Sequence, residues 1–434
     1  MLMKIVLIDP RGFSDGLNTG LGYLAAILKE HDVAVVDFNN KLGNEESRLS
    51  AVKDADVVGM SVKSFTLNEA LRLAEIVRKI NPNVKLIAGG PHITIDGYNF
   101  LKENMIFDIG VIGEGEAPFF EIASGKKQED VKGIVFRKGE DVVVNDAYGW
   151  ISNLDALPFP DYSVFDSVGD GIASYLLVTS RGCPYSCTYC SVGNVIGKKW
   201  RARSPKNIIA ELVQAKEKYR SEAFKVLDDD FTLDIKRAKE ICRLLIDSKL
   251  EMRWSCPNGI RADRLDEELV SLMQQSGCNF VSIGIESGDA EVFEKIKKGE
   301  KLGDVEKAVN MLKSAGIKVH GFFIIGLPGS TYKKDRESAN FGKNIGLDSA
   351  SFGILVPYPG TEVYTILKND KSVRWLDDWK HGFHIGFKPK SVFETMQYTA
   401  KEMKKAYYLN NMAFMKLRDI PVLMKLLLKS AFKV

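Results

Sequence analysis

Short apolar runs alternate with longer amphipathic stretches through the first 125 residues. KIVLID (4–9), HDVAVVDF (31–38), ADVVGMSV (55–62), VKLIAGG (84–90) and FDIGVIGEGE (107–116) read as strands. Their nearly continuous apolar character is that of strands covered on both faces, as in a parallel sheet. Between them, GLGYLAAILKE (20–30), LNEALRLAEIVRKI (67–80) and APFFEIAS (117–124) place apolar residues at helical spacing. Strand alternating with helix predicts an open α/β sheet with helices on both faces. Such sheets bind ligands beyond the carboxyl ends of their strands. The glycine- and polar-rich loops fall there, at 9–20, 61–66, 89–94 and 113–116.

GIVFRKGEDVVVND (133–146) reads as a β-hairpin turning at Lys138-Gly139. LDALPFPDYSVFD (154–166) has two prolines, several aromatics and no periodicity, the signature of an ordered linker. From 175 to 356 strand and helix repeat six times. The strands are YLLVTS (175–180), AFKVLDDD (223–230), RWSCPNGI (253–260), FVSIGIES (280–287), VHGFFIIG (319–326) and ASFGILV (350–356). Six units are too few for a closed eight-stranded barrel. A helical region follows, with helices predicted from Ala400 to Arg418 and from Val422 to Lys433, broken by Pro421. The expected organisation is 1–130, an α/β domain; 131–170, hairpin and linker; 171–369, the strand–helix repeat; and 370–434, the helical tail.

The chemistry concentrates in RGCPYSCTYC, which sets Cys183, Cys187 and Cys190 at Cys-x3-Cys-x2-Cys spacing on the loop after YLLVTS. Three thiolates this close can hold one metal centre. A structural zinc site wants four ligands, and no fourth Cys or His lies nearby in sequence. A 4Fe-4S cluster held by three cysteines keeps one iron open to a small chelating molecule. Cys242, Cys256 and Cys278 read as core thiols.

This spacing, with the aromatic Tyr189 before the last cysteine and the repeat that follows, resembles the radical S-adenosylmethionine enzymes. The preceding α/β segment resembles their cobalamin-binding subgroup. The resemblance implies an N-terminal Rossmann-like (flavodoxin-like) cobalamin-binding domain, then a partial (βα)6 TIM-type barrel with its chemistry at the strand C-terminal ends. It also implies three cofactors: the 4Fe-4S cluster on the three cysteines, S-adenosylmethionine chelated to the open iron, and cobalamin. Around S-adenosylmethionine it implies Tyr189, one of Asp228, Asp229 and Asp230, then Glu286 at the ribose, Arg201 and Arg203 at the methionine carboxylate, and Gly326 and Pro328 near the adenine. Pro357-Tyr358-Pro359-Gly360-Thr361 also matches the subgroup. For cobalamin it implies a cradle of Arg11, Asn18, Thr19, Gly20, Ser61, Ser64, Gly89, Gly90, His92, Gly113, Glu114 and Gly115. The subgroup's Asp-x-His-x-x-Gly signature is absent, since the chain reads Asp9-Pro10-Arg11-Gly12. The corrinoid is therefore expected base-off, without a histidine under cobalt. The alternative for this domain is a flavodoxin-like fold that binds no cofactor.

Composition narrows the setting. At 434 residues, 45% hydrophobic and 27% charged, the chain reads as a multi-domain globular protein. A formal net charge of +3 leaves no nucleic-acid footprint. Six cysteines with three clustered fit a reducing cytoplasm better than a disulfide framework. No signal segment and no apolar run of about 18 residues is visible. From Lys401 to Val434 eight basic residues face two acidic ones, with Leu423, Leu426, Leu427 and Leu428 near the end. The tail reads as a helix packed on the barrel, or else as a peripheral contact with anionic lipid or a membrane-resident substrate.

The resulting expectation is a cobalamin-dependent radical enzyme, foremost a methyltransferase acting on an unactivated carbon through a 5′-deoxyadenosyl radical and methylcobalamin. Its substrate is a small or lipid-like molecule, and its reductant a flavodoxin or ferredoxin. The rivals are a radical cyclase, ring-contracting or oxidative enzyme, and a non-enzymatic iron–sulfur or corrinoid sensor or carrier.

Overall fold

The apolar runs of the first half become β1 (Lys4–Asp9), β2 (Asp32–Asp37), β3 (Val57–Ser61), β4 (Lys85–Gly89) and β5 (Ile109–Val111). The computed structural model describes residues 2–12, 16–41, 43–382, 386 and 389–415. These strands pair in parallel in the order β2-β1-β3-β4-β5. Ile5 lies between Val33 and Val57 in register. Val6, Ile8, Val58, Met60, Leu86 and Ala88 are buried in one core. The helix Leu67–Ile80 covers it with Ala70, Leu73, Ala74 and Val77, one helical face at i, i+3, i+4 and i+7.

The expected hairpin is β6 (Ile134–Lys138) and β7 (Asp141–Val144), but it does not stand in a linker. β6 pairs antiparallel with β5, Ile109 opposite Phe136, so the hairpin forms the edge of the first sheet. The physical reason is burial: Val135 and Phe136 are almost fully covered and belong to the sheet's core, not to a connection.

β8 (Ser174–Leu177), the short antiparallel ribbon β9 (Ser180–Arg181) with β10 (Arg201–Ala202), and β11 (Ala223–Val226) follow. The helix Pro205–Tyr219 starts where Ser204 accepts the Asn207 N–H and Pro205 presets the first turn. It ends on Arg220 in the left-handed region. β12 (Arg253–Ile260), β13 (Cys278–Glu286), β14 (Lys318–Ile325) and β15 (Ser349–Ile354) then pair in parallel. The second sheet runs β15-β14-β13-β12-β11-β8, six strands with intervening helices, as a partial (βα)6 barrel requires. Two compact units emerge: Met1–Pro184 with Val192–Lys225, and Tyr185–Ser191 with the chain from Val226 onward. The first barrel strand thus groups with the N-terminal unit, not with a domain starting at 171.

The segment after 370 is not all helix. β16 (Val373–Trp375) and β17 (Phe393–Thr395) form an antiparallel ribbon. The helix Ala400–Met412 starts at a capping box of Thr399 and Glu402 and ends at Met412, short of Arg418. The second expected helix, with Lys425, Lys429, Lys433 and the leucines, lies outside the described residues, as do Lys416 and Arg418. Within the described part the helix covers an edge. The Asn411 side chain donates to the Phe352 carbonyl at 3.1 Å and accepts the Phe352 N–H at 3.0 Å. A single amide thereby does for β15 what a further strand would do.

The same region buttresses the end of β14. Asp335 is buried, accepting the Gly326 N–H at 3.0 Å and the Tyr398 hydroxyl at 2.8 Å on Oδ2, and the Ser330 hydroxyl on Oδ1. Burial pushes its carboxyl up to about 6. Gly326 has φ +84°, and a Cβ there would meet Met403 Sδ at 3.1 Å. Glycine is therefore required here by the backbone conformation and by the close packing of Met403.

Two outcomes follow from this buttress. Asn411→Ala should lower the unfolding free energy by about 1–3 kcal/mol, since two backbone groups of a buried residue lose their partners; an unchanged thermal midpoint would show the edge needs no cover. For Asp335 the folded value lies above the unfolded one, so its contribution is greatest at low pH and declines as pH rises from about 4 to about 6. Denaturant titrations of Asp335→Asn should lack that component of the slope.

Candidate functional site

The strand ends of the first unit carry the expected corrinoid residues. Asp9, the last residue of β1, is buried, and its Oδ2 has no hydrogen-bond partner. Its other oxygen accepts from Asn18 Nδ2 at 2.8 Å, and the same amide nitrogen lies 3.0 Å from Ser61 Oγ at the end of β3. Asn18 also caps the helix Thr19–Ile27 by accepting the Leu21 N–H. Burial pushes the Asp9 carboxyl up, opposed by Lys63 at 3.7 Å. Arg11 donates its Nε to the Phe38 carbonyl at 3.4 Å. His92 is buried, 3.1 Å from Ser64 Oγ, with its ring edge-on to Phe100. Gly90, just before the helix Pro91–Glu103, has φ +98°. An orphaned buried carboxylate oxygen beside a polar strand-end loop fits a polar ligand at this rim.

Around Cys183 the backbone is tight. Gly182 has φ +87°, and a Cβ there would meet the Lys199 carbonyl at 2.5 Å and that of Gly197 at 2.9 Å. The Cys183 N–H donates to the Gly197 carbonyl at 3.2 Å. Next to it, the two arginines expected at S-adenosylmethionine are engaged elsewhere. Arg203 is buried in an ion pair with Glu211, and it also donates to Asn207 Oδ1 at 2.7 Å and to the Val178 carbonyl at 3.0 Å. Tyr175 donates to the same Glu211 at 2.8 Å. Arg201 donates from one guanidinium nitrogen to both oxygens of Glu114, at 2.9 and 2.8 Å. The expectation that these arginines pair with the methionine carboxylate is corrected by this geometry: both charges are already neutralised. Glu114 likewise turns out to be an arginine partner.

The second unit holds Cys187 and Cys190, and the Cys190 N–H closes a turn onto the Cys187 carbonyl at 3.1 Å. Thr188 between them is buried and tied at both backbone groups, its N–H to Ile296 at 3.0 Å and its carbonyl to Val363 N–H at 2.8 Å. Val363 is delivered by Pro357-Tyr358-Pro359-Gly360-Thr361, whose Thr361 caps the helix Glu362–Asn369. Among the described residues no cysteine forms a disulfide. Cys242, Cys256 and Cys278 are buried, and burial pushes the Cys242 thiol up to about 12. Among the described residues no three His, Cys, Asp or Glu side chains are already gathered as a metal site. What fits the cluster is the donor set: three partly exposed thiols, none in a disulfide, within eight residues of chain.

Glu286 closes β13 at φ +66°, where the pairing with β14 slips between Gly284 and Glu286. That irregularity re-aims the side chain. Buried, it accepts from the Tyr189 hydroxyl, and Lys298 lies 4.0 Å away. Lys298 also pairs with Glu300 at 2.9 Å, and Arg261 lies 3.4 Å from Glu300. Arg261 stacks over Tyr185, 3.7 Å from the ring centroid. Burial pushes the Cys187 thiol up, against the fields of Lys298 and Arg261.

The three aspartates lie past the end of β11, which stops at Val226. Asp228 and Asp230 are buried and Asp229 is partly exposed. Asp230 carries a buried Oδ2 without a hydrogen-bond partner, and burial pushes its carboxyl up to about 6. Pro328 is partly exposed in the loop after β14. Sequence reasoning missed Arg181, Arg261, Lys298, Asp335 and Tyr398. Only SRGC hinted at Arg181, since a charge beside a strand end is informative once its partner is known.

With this geometry in hand, the comparisons agree. Residues 11–123 match the B12 binding domain model and residues 177–342 match that of the radical SAM superfamily. An uncharacterised methyltransferase of Pyrococcus horikoshii is 30% identical over 94% of this chain and 92% of its own. A cytidylyl-2-hydroxyethylphosphonate methyltransferase of Streptomyces wedmorensis is 28% identical over 79% of this chain and 76% of its own. An anaerobic magnesium-protoporphyrin IX monomethyl ester cyclase of Rubrivivax gelatinosus is 26% identical over 88% and 72%. The fold is that of the radical S-adenosylmethionine methyltransferase TsrM of Kitasatospora setae, at a TM-score of 0.77 and 15% identity over 96% of this chain and 89% of that one. The chain belongs to the cobalamin-binding radical S-adenosylmethionine enzymes.

Proposed function

We propose that this enzyme transfers a methyl group to an unactivated carbon of a small molecule. The observation that carries the reading is the pinned cysteine loop on a chain whose other sheet ends in a polar rim with an orphaned carboxylate. When bound, the 4Fe-4S cluster supplies the electron that cleaves S-adenosylmethionine, and the corrinoid carries the methyl group. Cys183, Cys187 and Cys190 hold the cluster. Asp230, with one buried oxygen unsatisfied, accepts from the methionine ammonium; Asp228 and Asp229 flank it. An ammonium there favours the ionised carboxylate that burial opposes. Glu286 and Tyr189 take the ribose side, and Gly326 and Pro328 offer backbone to the adenine.

In the first unit, Asp9, Asn18, Thr19, Gly20, Ser61, Ser64, Gly89 and Gly90 hold the corrinoid and its tail. Gly113 and Gly115 shape the loop after β5. His92 is engaged with Ser64, so a corrinoid held here would be expected to take no histidine from this chain, and Arg11 in the loop after β1 would lie near it. A flavodoxin or ferredoxin is the electron donor. The tail supports this reading less than the sequence suggested: its described half, through Asn410, Asn411 and Tyr398, is committed to packing. Among the described residues no helix is long and apolar enough to cross a membrane.

Reconstituted enzyme given S-adenosylmethionine and reductant separates the readings. A methyltransferase should form both S-adenosylhomocysteine and 5′-deoxyadenosine, and with substrate a product about 14 mass units heavier. 5′-Deoxyadenosine alone points to a cyclase or oxidative enzyme, and neither product points to a carrier. Ala at Cys183, Cys187 or Cys190 should abolish the iron–sulfur absorbance and all cleavage, whereas Ala at Cys242 or Cys278 should spare both. A cluster that survives loss of one of the three would overturn the ligand assignment.

A further inference from the structure

The carboxylate of Glu114 sits between two arginines that flank the first cluster cysteine. Arg181, two positions before Cys183, donates to Glu114 Oε1 at 2.8 Å and to Glu116 Oε1 at 2.6 Å. Arg201 donates to both oxygens of Glu114 and shares Oε1 with Arg181. Arg181 and Arg201 are direct partners across the β9–β10 ribbon, so their guanidiniums are set close by the register itself. Side-chain exposure is 12% for Arg181, 3% for Arg201, 7% for Glu114 and 8% for Glu116. With so little water, the two like charges stay together only because the carboxylates neutralise them.

The clasp is further fixed. Glu114 Oε2 accepts the Ile151 N–H at 2.7 Å. Arg201 donates to the Ile151 carbonyl at 2.8 Å and the Ile196 carbonyl at 2.9 Å, and its guanidinium lies over the Trp150 ring at 5.5 Å. All of these residues belong to one compact unit, which also holds Cys183. Gly182 and the Cys183 N–H lock the cysteine to the connection leading into the ribbon. A rigid chain of contacts therefore runs from the loop after β5 of the B12-binding fold to the first cluster ligand.

We propose that Glu114 is a positioning residue for methyl transfer: by clasping Arg181 and Arg201 it fixes Cys183 relative to the corrinoid-binding loops. It need touch neither cofactor. The proposal rests on the reading that one reaction uses both cofactors, and it explains why a loop expected to cradle the corrinoid spends its carboxylates on the cysteine segment. Loss of the charge leaves Arg201 without its carboxylate and Arg181 with Glu116 alone, and the ribbon shifts with Cys183. Misplacement on this scale slows a transfer that depends on alignment far more than it slows cleavage at the cluster itself.

The test uses full-length, reconstituted wild type, Glu114→Gln and Arg201→Lys. Iron and cobalamin contents, 5′-deoxyadenosine, S-adenosylhomocysteine and microwave power saturation of the cob(II)alamin signal beside the reduced cluster are measured. Glu114→Gln should retain both cofactors and most 5′-deoxyadenosine formation. Its ratio of S-adenosylhomocysteine to 5′-deoxyadenosine should fall at least about tenfold, and the relaxation of the cobalt signal should change. Arg201→Lys keeps the charge and should move both readouts the same way, by less. An unchanged ratio and unchanged relaxation in Glu114→Gln overturn the proposal. So does a parallel loss of every activity in both variants in proportion to folded protein, the mark of simple structural support. If the wild type forms no S-adenosylhomocysteine, the methyl-transfer reading fails, while the relaxation comparison still decides whether Glu114 positions Cys183.

Discussion

Three thiols within eight residues can share one metal centre only if the backbone between them is pinned from outside, because so short a loop has no core of its own. The pins here are almost all backbone. Gly182 lies so close to two carbonyls that a methyl group could not enter, and the Cys183 N–H uses one of them. Thr188 is bonded at both its N–H and its carbonyl. Helix and strand ends supply those partners: Ile296 follows the helix Ala290–Lys295, and Val363 opens the helix capped by Thr361. The motif residues that look decorative in sequence, the PYPGT turn among them, are the anchors of this loop.

In each unit, buried charge is handled by ion pairs. Arg203 meets Glu211, Arg181 and Arg201 meet Glu114 and Glu116, and Lys298 and Arg261 meet Glu286 and Glu300. Such pairs add little net stability, because desolvation offsets the attraction, yet removing one partner costs about 3–5 kcal/mol. Their value lies in discrimination: each arrangement admits one partner at one position, and a displaced ribbon or strand end exposes an uncompensated charge. The loop is therefore held in place by the penalty for moving as much as by attraction.

The fold was legible because its signal is periodic. LNEALRLAEIVRKI and PKNIIAELVQAKEKY become helices over the residues read from sequence, and the barrel strands shift by only a few residues. The three cysteines were legible because spacing alone carries their chemistry. Legibility failed where a side chain's role depends on a distant partner. Arg201 and Glu114 were each assigned to a cofactor from local context, and neither assignment anticipated an ion pair across 87 positions. The hairpin's partner strand was illegible for the same reason, since GIVFRKGEDVVVND says that it turns but not that Phe136 will face Ile109. Asp335 and Tyr398, 63 positions apart, had no sequence signal at all.

Two of the buried polar atoms left without a hydrogen-bond partner among the described residues lie where ligands are expected. Asp9 Oδ2 ends the first strand of one sheet, and Asp230 Oδ2 lies just beyond the second strand of the other. Each is a buried carboxylate oxygen without a hydrogen-bond partner, a state that costs of order 1–3 kcal/mol. Burial raises both carboxyls, so the protein bears the cost partly as a weaker tendency to ionise. A ligand that donates a hydrogen bond to either oxygen recovers that cost, and its binding free energy is then added to the stability of the folded chain. Each strand end thus carries a polar cost that a hydrogen-bond donor bound there would offset.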